Sequence, residues 1–127
     1  MQIPEQYHDL LNSQALAHLA TLMPDGSPQV TPVWFDYDGE HIRINSAVGR
    51  QKDRNIRRNP HVAVSIVEAD GSERALVVRG VVSEVTTDGA LAHIDALARK
   101  YRGDGWTPVP NQQRVIYKIT PQHVHGD

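Results

Sequence analysis

Three short acid-glycine turns fix what this chain can become. Pro24-Asp25-Gly26, Asp38-Gly39 and Asp70-Gly71 each separate two stretches of β-branched, aromatic or alternating apolar residues. So short a reversal lays the second stretch back along the first and excludes the long crossover that parallel strands require. Antiparallel pairing is therefore expected throughout.

The flanking stretches supply the strands. Ala15 to Met23 reads as a buried strand, with His18 a satisfied core histidine. Gln29 to Tyr37 reads as one strand with Pro32 in its middle. Proline cannot donate to a ladder, so Pro32 marks an edge, a bulge or a place where a ligand covers the strand. His41 to Ala47 and His61 to Val67 alternate cleanly, and Arg74 to Val85 is long and interrupted by Gly80, which predicts a bulge or a close backbone approach. Arg114 to Thr120 is the last strand; His123 and His125 follow it as an exposed tail, with no third ligand to make a metal site.

Helices fill the gaps. Pro4 to Asn12 opens with proline at a first helical position and Glu5 in the first turn. Thr87-Asp88 should cap a helix carrying Leu91, Ile94, Leu97, Ala98 and Tyr101 as its apolar stripe. Arg102 to Gln113, with two glycines, two prolines and Trp106, reads as a structured loop able to close a pocket or cover a barrel end. Six or seven antiparallel strands with these helices predict a mainly β barrel in a single domain spanning residues 1–127.

Composition narrows the function classes. There is no cysteine among the 127 residues, so disulfide, thiolate and zinc-thiolate chemistry is excluded, and a reducing, cytoplasmic setting is expected. No apolar stretch approaches membrane-spanning length, and the opening M-Q-I-P-E-Q-Y-H lacks a leader pattern. A formal net charge of −2 argues against nucleic acid as a partner.

Against that acidic background, Gly49 to Pro60 reads G-R-Q-K-D-R-N-I-R-R-N-P and carries Arg50, Lys52, Arg54, Arg57 and Arg58 against Asp53 alone. A solvated helix usually alternates its signs so that i,i+4 pairs form. This one concentrates a single sign after a strand, and a helix entered there offers free backbone N–H groups and its dipole to an anion. Lys52 and Asn55 should share one face, Arg50, Arg54 and Arg57 or Arg58 another, with Ile56 as the anchor. A basic surface helix that binds nothing is the competing reading. Asn45 and Ser46, at the end of the preceding strand, can donate to a ring carbonyl or simply satisfy the loop.

The element order, with A-T-L-M-P-D-G-S-P-Q-V-T-P-V-W-F at Ala20 to Phe35 and the basic run at Gly49 to Pro60, resembles the split β-barrel flavin and deazaflavin oxidoreductases. These are the pyridoxamine-phosphate-oxidase-like proteins, and the chain is most similar to their branch dependent on coenzyme F420. The resemblance implies a homodimer with two cofactor clefts at the subunit interface, in which reduced 8-hydroxy-5-deazaflavin passes hydride to a small organic acceptor. Carried over residue by residue, it puts the cofactor phosphate on Arg50, Lys52 and Asn55, with Arg54 as an addition, and the ring along Thr31, Pro32, Val33, Asn45 and Ser46. Pro32 stands where relatives carry a polar residue. The longer anionic tail of F420, compared with the single phosphate of FMN, suits a cationic track.

No side-chain catalyst stands out, as expected where the cofactor carries the chemistry; Tyr101 is a hydroxyl that could supply a proton. An FMN-dependent oxidase or reductase of the same fold, and a non-catalytic carrier of a cofactor or pigment, are the alternatives.

Overall fold

A computed structural model describes residues 2–126. A single 3-10 turn, Glu5–Tyr7, runs into α1 (His8–Leu11), followed by β1 (Ala17–Leu22), β2 (Pro28–Val33), β3 (Phe35–Tyr37) and β4 (Ile42–Ala47). Then come α2 (Gln51–Arg58), β5 (His61–Val67), β6 (Ala75–Thr86), α3 (Ala90–Arg102) and β7 (Arg114–Gly126). All seven strands form one antiparallel sheet in the order β2-β1-β5-β6-β7-β4-β3.

That order forces the sheet to curl. β2 and β3 are its two opposite edges, yet only Trp34 separates them in the chain. Seven flat strands about 4.8 Å apart would hold the edges nearly 30 Å from one another, whereas two peptide units span about 7 Å. The sheet must roll until its edges meet, which makes a barrel split along a seam at Trp34. The predicted strand from Gln29 to Tyr37 is thus two strands that pair with different partners, β2 with β1 and β3 with β4. Pro32 lies on an edge strand, the place in a sheet where a residue without an N–H is tolerated.

Side chains pointing inward from the curled sheet form the core. Leu19, Val33, Phe35, Ile42, Ile44, Val64, Ile66, Leu76, Val78, Val115, Tyr117 and Ile119 pack with Leu10 and Leu11 of α1 and Ile56 of α2. Fully burying an aliphatic or aromatic side chain of this size stabilises by about 1.5–3 kcal/mol. The other face stays open, and His18 belongs to it: β1 alternates, with Ala17 and Leu19 inside and His18 exposed, so this histidine is not a core residue.

β6 is bulged, with register shifts at Arg79/Gly80 and Val82/Glu84. A Cβ at Gly80 would collide with the Thr120 carbonyl oxygen, so the close backbone approach explains the glycine. β7 continues to Gly126 rather than ending at Thr120, so His123 and His125 are not a tail but exposed residues of a strand paired with Arg79 and Val77. α3 begins at Ala90 behind Gly89, whose left-handed φ of 75° makes the entry. The Thr87-Asp88 cap is absent, and Leu91, 55% exposed, drops out of the stripe in favour of Ala90 and His93.

The C-terminal end of α3 crosses the seam. Lys100 Nζ donates to the carbonyls of Phe35 (2.7 Å) and Leu11 (3.2 Å), and the Tyr101 hydroxyl donates to Ala15 O at 2.7 Å. Tyr101 also stacks on Trp34, with ring centroids 5.3 Å apart and planes within 5°. The residue that joins the two sheet edges is held in place by the helix packed over it.

Candidate functional site

A cleft of about 340 Å³ opens at the seam. Its apolar lining is Leu16, Pro32, Val33, Trp34, Ile94 and Trp106, and its polar lining is Asn45, Arg50, Lys52 and Arg114. No Asp or Glu lines it among the described residues. The two tryptophans meet edge to face at 6.5 Å, and the Arg114 guanidinium lies 5.1 Å from the centre of the Trp106 ring. A cleft lined by aromatic and aliphatic groups together with cations suits a planar, anion-bearing ligand.

The basic run divides sharply. Arg50, in extended conformation at the N-cap of α2, and Lys52, in its first turn, face the cleft. Lys52 is held below the ordinary lysine range by burial, and further by the charges of Arg50 and Arg114. Arg114 is lowered in the same way, by burial and then by Arg50. Three cations that destabilise one another, with no carboxylate between them, form a site that an anion would relieve.

The other cations of the run are occupied elsewhere. Arg54 turns back to the Gly49 carbonyl and to Gln51 Oε1 (2.7 Å). Arg57 pairs with Asp53 at 3.1 Å, and Arg58 donates to Leu22 O and Asn55 Oδ1. Asp53 itself points inward and is 2% exposed, accepting from Gly49 N–H (2.9 Å) and the Tyr117 hydroxyl (2.7 Å). The one acid of the segment therefore shapes the turn into α2 from behind and leaves the cleft positive.

Of the residues expected to contact a cofactor, Pro32, Val33, Asn45, Arg50 and Lys52 are brought together here. Thr31, Ser46, Arg54 and Asn55 do not line the cleft. Thr31 is half-buried opposite Leu19 in the edge ladder. Ser46, within β4, is fully buried; its hydroxyl lies beside that of Tyr117 but without a hydrogen bond of standard geometry. Asn55 is 0% exposed and joins α2 to β1: its Nδ2 donates to Thr21 Oγ1 (3.0 Å), and its Oδ1 accepts from Gln51 and Arg58. Lys52 and Asn55 therefore do not present one common face to a ligand.

Asn45 is the centre of a buried polar network. Its Nδ2 donates to Ala90 O (2.8 Å) and meets His93 Nδ1 at 3.1 Å, while its Oδ1 accepts from Arg114 Nε at 2.8 Å. His93 Nε2 lies 3.2 Å from Asp36, and Asp36 takes a two-pronged contact from Arg43 at 2.8 Å on each arm. Burial works to raise the Asp36 carboxyl, but His93 and Arg43 outweigh it and hold it below the usual carboxylate value.

Tyr101 is no proton donor to this cleft. It does not line it, and its hydroxyl is directed at Ala15 O and pushed up to about 12, chiefly by burial. Leu16, Trp34, Ile94 and Arg114 line the cleft beyond the residues expected from the sequence. Arg114 had no local signal at all, since it reaches Asn45 only because β7 pairs with β4 in the register Ala47↔Arg114. Among the described residues no group of three or more His, Asp or Glu side chains is placed to hold a metal, and no helix is long and apolar enough to cross a membrane.

Known proteins share this architecture along nearly the whole chain. A solved structure named F420 reductase is 39% identical, with a TM-score of 0.86 covering 97% of this chain and 98% of its own. An F420H(2)-dependent biliverdin reductase of Mycobacterium tuberculosis is 33% identical over 122 residues, covering 91% of this chain and 82% of the relative. A conserved hypothetical protein of the same species, 26% identical, superposes with a TM-score of 0.79 over 98% of this chain and 84% of that one. The model of the pyridoxamine 5'-phosphate oxidase family matches residues 3–126, and with the split barrel and its seam cleft already in place, the chain belongs to that family.

Proposed function

We propose that this protein is an F420-dependent oxidoreductase that reduces a small organic acceptor in the seam cleft. The observation that carries the reading is the acid-free convergence of Arg50, Lys52 and Arg114 beside a slot walled by Pro32, Val33, Trp34 and Trp106. The names of the relatives at 39% and 33% identity support it.

The residues fit the cofactor on chemical grounds. Arg50 and Lys52 would hold the anionic tail, Arg114 is a further cation within reach of the slot, and the apolar lining would take the deazaflavin ring. When bound, the reduced cofactor supplies the hydride. The chain's part is to hold the ring edge against the acceptor, and to keep water out through Leu16, Ile94 and Trp106.

The acceptor proposed is planar and conjugated, because Trp34 and Trp106 offer aromatic surface in the cleft lining. A cytoplasmic homodimer is part of the proposal. The outward sheet face exposes Val30, Val67 and Val77 at 59%, 45% and 38%, and continues through Leu16 and Pro32 into the cleft, so a second copy laid on it would complete the site's open side.

Titration of the apo protein with F420 and with FMN at two salt concentrations, followed by chromophore fluorescence, tests the reading. Tighter, salt-sensitive binding of F420 that is lost in Arg50→Ala and Lys52→Ala is the expected result. Preference for FMN would move the chemistry to flavin, and binding of neither would remove the cofactor from the cleft.

A further inference from the structure

The orientation of the Asn45 amide is dictated by its neighbours. Ala90 O can only accept and a guanidinium N–H can only donate, so the atom facing Ala90 must be the NH₂ and the atom facing Arg114 Nε must be the oxygen. The second hydrogen of that NH₂ points at His93 Nδ1, 3.1 Å away. His93 Nδ1 must therefore be a bare acceptor, which leaves the ring's one proton on Nε2, directed at Asp36. The tautomer is fixed from both ends.

We propose that His93 is a positioning residue for the cleft: its neutral imidazole locks Asn45, and through Asn45 the Arg114 guanidinium, so that uptake of a proton by His93 releases Arg114 and weakens anion binding. A proton on Nδ1 would set N–H against NH₂. If Asn45 then turned its amide over, Nδ2 would face the Arg114 N–H and Oδ1 would face Ala90 O, and both contacts would become repulsive. Swinging away instead would give up Asp36 just as the ring gains a charge opposite to that carboxylate, so the amide turn is the response we assign. It leaves the Arg114 guanidinium with Gln112 Oε1 (3.1 Å from an Nη) and the Trp106 face as its supports.

Charged groups face His93 from several elements. Asp36 on β3 lies 3.2 Å from its Nε2, and Arg43 on β4 is paired with Asp36 at 2.8 Å. Glu84 of β6, Asp88 before α3 and Lys118 of β7 line a second cavity of about 450 Å³ that His93 also borders. On the cleft side Arg114 of β7 stands behind Asn45. With His93 itself 5% exposed, proton uptake must be accommodated inside this set and not by bulk water.

The inference rests on the cleft binding an anion, and its test separates the two. F420 is titrated into wild type and His93→Asn from pH about 8 to about 5, the range in which histidine charge changes. Asparagine keeps an acceptor opposite Asn45 but takes up no proton. Wild type should lose roughly tenfold in affinity across the range beyond any change in the variant, the size of one charge-assisted hydrogen bond. A parallel fall in both proteins overturns the proposal.

Proton-coupled ¹⁵N spectra of apo wild type give the second readout, which needs neither ligand nor variant. The Nε2–H tautomer at neutral pH, with the Arg114 Nε–H resonance moving as His93 titrates, is expected; an Nδ1–H tautomer or an unmoved Arg114 signal overturns it. If F420 fails to bind at any pH while the Arg114 signal follows His93, the cofactor reading fails and the positioning role stands.

Discussion

Tyr117→Phe removes one oxygen from a buried hydrogen bond to a carboxylate. Tyr117 is 0% exposed, and its hydroxyl donates at 2.7 Å to Asp53, which is itself 2% exposed. Hydrogen bonds to a charged acceptor contribute about 1.5–3 kcal/mol. Asp53 keeps Gly49 N–H and Arg57 after the change, but Arg57 is half-exposed and screened, so the loss falls near the middle of that range, about 2 kcal/mol. With an unfolding entropy near 2.1 cal/mol/K per residue, 127 residues give about 0.27 kcal/mol/K and a fall in Tm of about 7 °C.

The pH dependence of that gap follows from the Asp53 carboxyl. Burial works to raise it, but the Gly49, Tyr117 and Arg57 contacts prevail and hold it below its ordinary 3.8. A depressed carboxyl stabilises the fold above the unfolded value, and that stabilisation is lost as pH falls through the lower folded value. Tyr117 stays a phenol throughout, since burial and the Asp53 bond push its ionisation far upward. Melts of wild type and Tyr117→Phe should therefore lie about 7 °C apart at neutral pH and draw together in acid. Coincident melts at neutral pH would show that the buried contact contributes nothing net and would refute this account.

Other perturbations test separate parts of the structure. Gly80→Ala should destabilise by about 2–4 kcal/mol in urea unfolding, because the new Cβ meets backbone and not a movable side chain. Arg54→Ala should leave F420 affinity within about twofold while Lys52→Ala lowers it about tenfold or more, since only Lys52 reaches the cleft. Burial lowers Lys100 to about 8. The unfolded chain then holds a proton that the folded one releases between about 8 and 10.5, so wild-type stability relative to Lys100→Met should rise across that interval. A flat difference between the two melting curves would contradict the depressed lysine.

The features legible in the sequence are those set by neighbours along the chain. Acid-glycine turns and period-two alternation placed the strands, Gly80 announced a bulge, and Ile56 marked the anchor of α2. That anchor also orients the site. A helix that buries Ile56 carries its i−3 and i−4 neighbours, Asp53 and Lys52, toward the same side and leaves Arg54 and Arg58 outward. The break at Trp34 was hidden for another reason. One tryptophan inside an aromatic, β-branched run has no local mark of a strand end, and only the pairing of β2 with β1 and β3 with β4 reveals it. The exposure of His18 is not legible, because alternation says which residues share a face, not which face is covered.

Arg114 shows where sequence reading stops and what the fold adds. The three cleft cations come from the turn before α2, from α2 itself and from the start of β7, so no single segment carries the site's charge pattern. The basic run looked like a five-cation track; in the fold it lends two cations and engages the others with Asp53, Asn55, Gly49 and Leu22. The third arrives only through the β4–β7 register and is aimed by Asn45. A site built this way comes apart whenever β7 separates from β4, even with the basic helix intact. Hydrogen exchange should accordingly show the amides of Asn45 to Ala47 and Arg114 to Ile116 gaining protection together when F420 is added. Protection confined to α2 would mean that the basic run binds by itself and that Arg114 is a bystander.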